Sequence, residues 1–284
     1  MVRFGPAGNP DAFYEDGGKS STQMPSWVNS IGLNAYEYQC SKGVKITQPT
    51  AEKIGDEAKK NGVLLSVHSP YFISLSSVEE EKRIKSVDYI MQTLNAAKMM
   101  GAERIVVHSG SCAKISREEA VVLAKETLKM AEKASIEAGF EYIKICPETM
   151  GKINQLGTVD EVIELCSLSE MFVPCIDFGH VNAREMGSLN TYEDFKAIVD
   201  KIENKLGTER GKHFHVHFTR IEFTSGGEKK HIPYDDTSFG PAFEPFAQLM
   251  ADKNLEPVII CESPGMQGKD ALTYKRIYEE CLNK

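Results

Sequence analysis

The sequence predicts an α/β protein built as one (β/α)8 barrel, the TIM barrel, spanning residues 1–284. Three observations predict it. Short apolar runs rich in Val and Ile alternate with longer stretches of helical period, the pattern of βα units around a parallel sheet. Eight such units can be counted, and 284 residues is close to the ~250 that this architecture uses. No G-x-G-x-x-G or G-x-x-x-x-G-K-[ST] follows any strand, which removes the main ground for an open nucleotide-binding sheet.

Strands are expected over residues 2–5, 34–39, 63–68, 104–108, 142–148, 172–177, 213–218 and 257–262. A short helix near 25–32 follows the first. After the others, 47–60, 78–100, 116–138, 158–167, 191–206, 241–253 and 268–282 place apolar residues at three- and four-residue spacing, as a helix packed on a sheet requires. Ser116 with Glu119 and Thr158 with Glu161 are capping boxes that fix two helix starts. Gly62, Gly101 and Gly139 follow helical stretches and suit the left-handed residue that ends a helix.

Composition narrows the function classes. With no apolar run approaching ~18 residues, no membrane span is expected. The start MVRFGPAGNPDAF lacks the basic and apolar regions of a secretory leader, so a cytoplasmic location is expected; separately, the chain is expected to be a monomer. The seven cysteines include no C-x-x-C pair, and Cys146, Cys175 and Cys261 fall inside strands, as reduced core residues do. A net charge of −8 argues against broad, non-specific nucleic-acid binding, which relies on basic surface.

Eight acidic or imidazole side chains are the candidate site: His68, His108, Glu148, Asp177, His180, His217, His231 and Glu262. Most stand where an apolar run stops, in VLLSVHSPYF, RIVVHSG, YIKICPETMG, FVPCIDFGH, HFHVHF and PVIICESPG. They are too widely spaced for a zinc finger, whose ligands come in tight pairs. On a barrel, however, the C-terminal strand ends converge on one face. Burying several carboxylates and imidazoles there costs several kcal/mol for each uncompensated charge, so a metal cluster is the economical reading. Ligands without thiolates suit Zn²⁺, Mn²⁺ or Fe²⁺. Alternation along each strand turns Ser66, Val106, Cys146 and Cys175 inward beneath these residues. His213, His215 and His217 share one face, and His217, nearest the catalytic end, is read as the ligand, with His215 core or supporting.

In chain order, HSPYF, VVHSG, PETMG, CIDFGH, HVHF and CESP resemble the metal-binding segments of the endonuclease IV family, the apurinic/apyrimidinic endonucleases of base-excision repair, over about residues 60–265. The D-x-x-H of Asp177 to His180 is the most specific piece. The resemblance implies a xylose-isomerase-like barrel and two zinc ions. His68 and His108 would hold the first, sharing Glu148 with a second completed by Asp177, His217 and Glu262. A third would lie on His180 and His231 with an aspartate two residues before the latter, but Lys229 occupies that place. Either Glu228 substitutes or His231 is a structural loop residue. Tyr71 and Phe72 match the pair that the family presses into the minor groove of duplex DNA at an abasic site, whereas the family's arginine of the second βα loop has no clear counterpart in EYQCSKGVKI.

The activity so implied is hydrolysis of DNA 5′ to abasic sites, with Glu148 and Glu262 as catalytic carboxylates. The alternative is a sugar isomerase or epimerase on the same barrel type. There one divalent ion would sit on Glu148, Asp177, His217 and Glu262, and the remaining histidines would be surplus.

Overall fold

Eight strands of the computed structural model, which describes residues 1–283, form one parallel sheet. They are β1 (Arg3–Pro6), β2 (Ala35–Gln39), β3 (Leu64–His68), β4 (Arg104–His108), β5 (Lys144–Glu148), β6 (Cys175–Asp177), β7 (His215–His217) and β10 (Val258–Cys261). The order is β1-β10-β7-β6-β5-β4-β3-β2, every ladder parallel. The barrel closes between β1 and β2, where Asn34 N–H donates to Phe4 O at 3.0 Å and Gly8 N–H to Glu37 O at 2.9 Å. Two strands stand apart as an antiparallel hairpin, β8 (Arg220–Thr224) and β9 (Gly227–Ile232).

The long outer helices fall where the periodicity places them: α3 (Gln48–Asn61), α4 (Glu80–Met100), α5 (Arg117–Glu137), α6 (Val159–Cys166), α8 (Tyr192–Leu206), α10 (Glu244–Lys253) and α11 (Gln267–Leu282), with α2 (Met24–Ser30) after β1. The short helices α1 (Asp11–Glu15), α7 (Phe178–Arg184) and α9 (Thr208–Lys212) lie outside the expected set. Gly62 and Gly101 end α3 and α4 in the left-handed region, at φ 66° and 68°. Each long helix lays an apolar stripe on the barrel, such as Ile90, Leu94 and Ala97 of α4, all fully buried. Among the described residues no helix is long and apolar enough to cross a membrane.

Both expected capping boxes form. At α6 the cap is tied into the barrel's exterior: Glu161 accepts from the N–H groups of Gly157 and Thr158, both at 2.8 Å, and from Arg117 of α5 at 2.7 and 2.6 Å. Burial tends to raise the Glu161 carboxyl, but these donors hold it below its ordinary range. Its stabilising contribution is therefore present at neutral pH and is lost as pH falls through the ordinary carboxylate range and below. Glu161→Gln is expected to lower unfolding free energy by about 2 kcal/mol, from one lost charged pair and a weakened cap. Urea denaturation at pH 7 and pH 3 checks it, since the deficit should shrink at the lower pH.

Candidate metal centre

Register brings the strand ends level. His108 of β4 lies opposite Glu148 of β5, Asp177 of β6 opposite His217 of β7, and Gln39 of β2 opposite His68 of β3. Glu262 directly follows β10. Six side chains from six strands thus converge at the C-terminal mouth, where barrels keep their chemistry.

His180 and His231 arrive differently. Expected just beyond a strand end, His180 lies in the first turn of α7. Asp177 is the N-cap of that helix, and its Oδ1 accepts the His180 N–H at 2.8 Å. The i, i+3 spacing of D-x-x-H then sets the imidazole over the carboxylate, with His180 Nδ1 3.1 Å from Asp177 Oδ2. His231 sits on β9 of the hairpin, outside the barrel wall.

Of the two alternatives left open at Lys229, the hairpin geometry matches the one in which Glu228 substitutes. Glu222 pairs with Lys230 and Phe223 with Glu228, so Lys229 is the extra residue of a β-bulge. The bulge shifts the alternation by one, and Glu228 shares the inward face with His231. Lys229 turns away and pairs with Glu222. Glu228 Oε2 stands 3.4 Å from His180 Nε2, and Oε1 3.9 Å from His231 Nε2. The acid of the third group is therefore Glu228.

Close backbone approach lets the hairpin dock. Glu228 N–H donates to Gly151 O at 3.1 Å, and a Cβ on Gly151 would come within 2.6 Å of Glu228 Cβ and 2.9 Å of His180 Cδ2. Arg184, one turn beyond His180, holds this β5–α6 loop by donating to the carbonyls of Met150, Lys152, Ile153 and Gln155 at 2.7–3.0 Å.

Five groups, partly overlapping, have candidate ligand atoms within 4.8 Å of one another, and two of them, His68–His217–Glu262 and Cys175–His215–His217, reuse His217. The other three together hold all eight expected residues: His68, His108 and Glu148; Glu148, Asp177, His217 and Glu262; and His180, Glu228 and His231. Glu148 is common to the first two. Its Oε2 is 3.4 Å from both His68 Nε2 and His108 Nε2, and its Oε1 is 3.1 Å from His217 Nδ1. Glu262 Oε2 lies 3.5 Å from the same His217 nitrogen. Backbone carbonyls orient two of the rings: His68 Nδ1 faces Ser69 O at 2.8 Å and His180 Nδ1 faces Thr149 O at 3.0 Å, which leaves each Nε2 to the pocket.

These distances fit cations. Tetrahedral ligands at ~2.0–2.1 Å from an ion stand about 3.3 Å apart, close to the 3.1–3.5 Å between Glu148, Glu262 and the histidines of the first two groups, of which only the 3.1 Å contact of His217 with Glu148 is a hydrogen bond. Glu148 Oε2 and Asp177 Oδ2 are moreover buried without a hydrogen-bond partner. In the metal-free site, protons do the neutralising. Burial opposes the charge of Glu148, but His217, His180 and His68 hold its carboxyl well below the usual range. Burial likewise disfavours a proton on His68 and His180, yet their carboxylate neighbours raise them to about 9 and about 10. Burial takes His108 down to about 4 and lifts Asp177 to about 6.

The cleft above holds about 370 Å³ and is lined by ligands from all three groups and by Gln39, Ser41, Tyr71, Lys152 and Gln155. Tyr71 lines the cleft and is exposed; Phe72 next to it is also exposed but does not line the cleft, and it packs edge-on against Tyr89 of α4 at 4.7 Å. Lys42 and Lys45 are exposed on the β2–α3 loop. A larger cleft of about 540 Å³, between α3 and α4 at the opposite end of the barrel, is lined by no histidine. Sequence reasoning missed Glu37, which is fully buried beneath the site and contacts His215 and His217. An acid in the middle of the strand AYEYQ was the available signal.

A parallel barrel with clustered histidines and carboxylates at its C-terminal mouth has the form of an enzyme. The chain belongs to the xylose isomerase-like TIM barrel family, whose model matches residues 25–280. An uncharacterized protein of Methanocaldococcus jannaschii is 32% identical, covering 99% of this chain and 98% of that one. A probable endonuclease 4 of Mycoplasma pneumoniae is 26% identical, covering 77% of this chain and 72% of its own length. Among solved structures, endonuclease IV from Thermus thermophilus aligns with a TM-score of 0.72 at 18% identity, over 99% of both chains. A D-tagatose 3-epimerase-like protein aligns with a TM-score of 0.74 at 20% identity, over 99% of this chain and 97% of that one. At such identities the structural likenesses speak for the fold alone.

Proposed function

We propose that this protein is a zinc-dependent phosphodiesterase of the endonuclease IV type, which hydrolyses duplex DNA on the 5′ side of abasic sites; Mn²⁺ or Fe²⁺ would suit the same ligands. The observation that carries this reading is the third group, His180, Glu228 and His231, beside the shared Glu148. A one-ion isomerase needs only Glu148, Asp177, His217 and Glu262, and has no use for a second and a third cluster. The similarity to probable endonuclease 4 supports the same choice.

When bound, divalent ions would supply Lewis-acid activation of water and charge compensation at the phosphate. The chain's own residues do the rest. Glu148, 1% exposed, is the carboxylate common to two groups. Glu262 retains 18% exposure and faces the cleft, so its carboxylate can orient a water and take its proton. Its position is fixed through its N–H, which donates to Thr219 Oγ1 at 3.0 Å. Tyr71 offers an exposed aromatic face in the cleft lining and Phe72 an exposed one next to it in sequence, able to replace stacking lost where a nucleotide is extruded. All ligands come from one chain, so a monomer suffices. The buried thiols of Cys146, Cys175 and Cys261 fit a reducing compartment, the cytoplasm.

The test is incision of duplex DNA carrying one tetrahydrofuran abasic analogue, run beside a ketohexose epimerisation assay. Cleavage leaving a 3′-hydroxyl on the upstream fragment is expected, with no epimerisation. Epimerisation without incision would overturn the reading in favour of the one-ion quartet.

A further inference from the structure

We propose that Glu37 is a positioning residue for the metal centre: it holds the proton on His217 Nε2 and so presents His217 Nδ1 to the group of Glu148, Asp177 and Glu262. The inference rests on the reading that this group binds an ion. Glu37 lies in the middle of β2, opposite Ser66 of β3, and its side chain crosses the barrel interior to β7, which is not its neighbour in the sheet. Its Oε2 accepts from Ser66 Oγ at 2.8 Å and faces His215 Nε2 at 3.0 Å. Its Oε1 accepts from Gln39 Nε2 at 3.2 Å and lies 3.0 Å from His217 Nε2.

Three donors, Ser66, Gln39 and His215, hydrogen-bond this carboxylate, which has about four lone-pair sites, and His217 Nε2 approaches it at 3.0 Å without hydrogen-bond geometry. Three of its acceptor sites are taken and the fourth faces His217, and Glu37 belongs to none of the candidate ligand groups. Packing alone does not call for an acid at this depth, since the neighbouring buried positions are Ser66, Val106, Cys146 and Cys175. A buried carboxylate is costly unless its partners compensate it, and here half of those partners are the histidines of β7.

The geometry decides between the two ring nitrogens. An imidazole that ligates through one nitrogen gives its other N–H to an acceptor, and a carboxylate in that place fixes tautomer and ring orientation together. In the metal-free site Nε2 lies 3.0 Å from Glu37 Oε1, while Nδ1 hydrogen-bonds Glu148 Oε1 at 3.1 Å and lies 3.5 Å from Glu262 Oε2. His215 adds a second imidazole contact that keeps the Glu37 carboxylate from rotating.

The experiment is metal titration of the full chain and of Glu37→Gln, with Cd²⁺ as the probe and NMR of nitrogen-labelled histidine as the second readout. In the wild type, cadmium coupling is expected at His217 Nδ1, with the proton on Nε2. In Glu37→Gln the affinity of the Glu148–Asp177–His217–Glu262 position should fall about 10–100-fold, while the His68–His108 and His180–Glu228–His231 positions load as before. Glu37→Asp, which restores the charge, should recover part of the loss. Unchanged affinity in Glu37→Gln, or coupling through Nε2 in the wild type, would overturn the role of Glu37. The wild-type spectrum decides even where the variant fails to fold. A wild type that loads no ion at this position would overturn the metal centre itself, and this inference with it.

Discussion

Replacing Glu148 by glutamine is expected to abolish incision, with a loss of at least about 10²-fold and simultaneous loss of metal from the first two positions. Glu148 is the carboxylate that the His68–His108 group and the Asp177–His217–Glu262 group have in common. An amide keeps the shape but removes the charge, and it offers only one oxygen where both carboxylate oxygens face imidazoles. The metal-free variant should also be less stable. His68 is raised to about 9 and His180 to about 10 in surroundings that include this carboxylate, and taking away one partner of a buried charged pair costs about 3–5 kcal/mol. Metal content and single-turnover incision check the first part, and thermal unfolding of the chelated protein the second. Normal metal content with normal turnover would remove Glu148 from the centre.

The second large effect is expected at the hairpin. Glu228→Ala should remove the third ion, leave the other two in place, and lower incision by about 10²-fold, the scale on which loss of one electrostatic stabiliser acts. Lys229→Ala should change neither metal content nor turnover appreciably. The contrast follows from the bulge: Glu228 turns in toward His180 and His231, while Lys229 turns out toward Glu222. If Lys229→Ala lost the ion and Glu228→Ala kept it, the register of β9 would be wrong.

The barrel was legible because its strands are short Val- and Ile-rich runs that stop at chemically distinctive residues. His68, His108 and Glu148 close their strands in the structure as expected, and His217 closes a strand that is shorter than expected, His215–His217 rather than 213–218. What escaped lacks that apolar signature. β9 reads GEKKHI, a mostly polar strand outside the barrel, so neither the hairpin nor its bulge could be read from periodicity. The acid two residues before His231 is missing from the linear pattern, and only the pairing of Glu222 with Lys230 and Phe223 with Glu228 shows how Glu228 replaces it. Glu37 escaped for a different reason. It stands mid-strand among Ala35, Tyr36 and Tyr38, whereas the legible ligands stand at or just past strand ends.

Metal stoichiometry tests the central claim most directly. The purified wild-type chain, reconstituted with excess Zn²⁺ and freed of loosely bound ions by gel filtration, should retain three ions per chain, one for each group centred on Glu148 Oε2, Glu148 Oε1 and Glu228. One ion per chain would contradict the account and leave the quartet of Glu148, Asp177, His217 and Glu262 as a single-ion site.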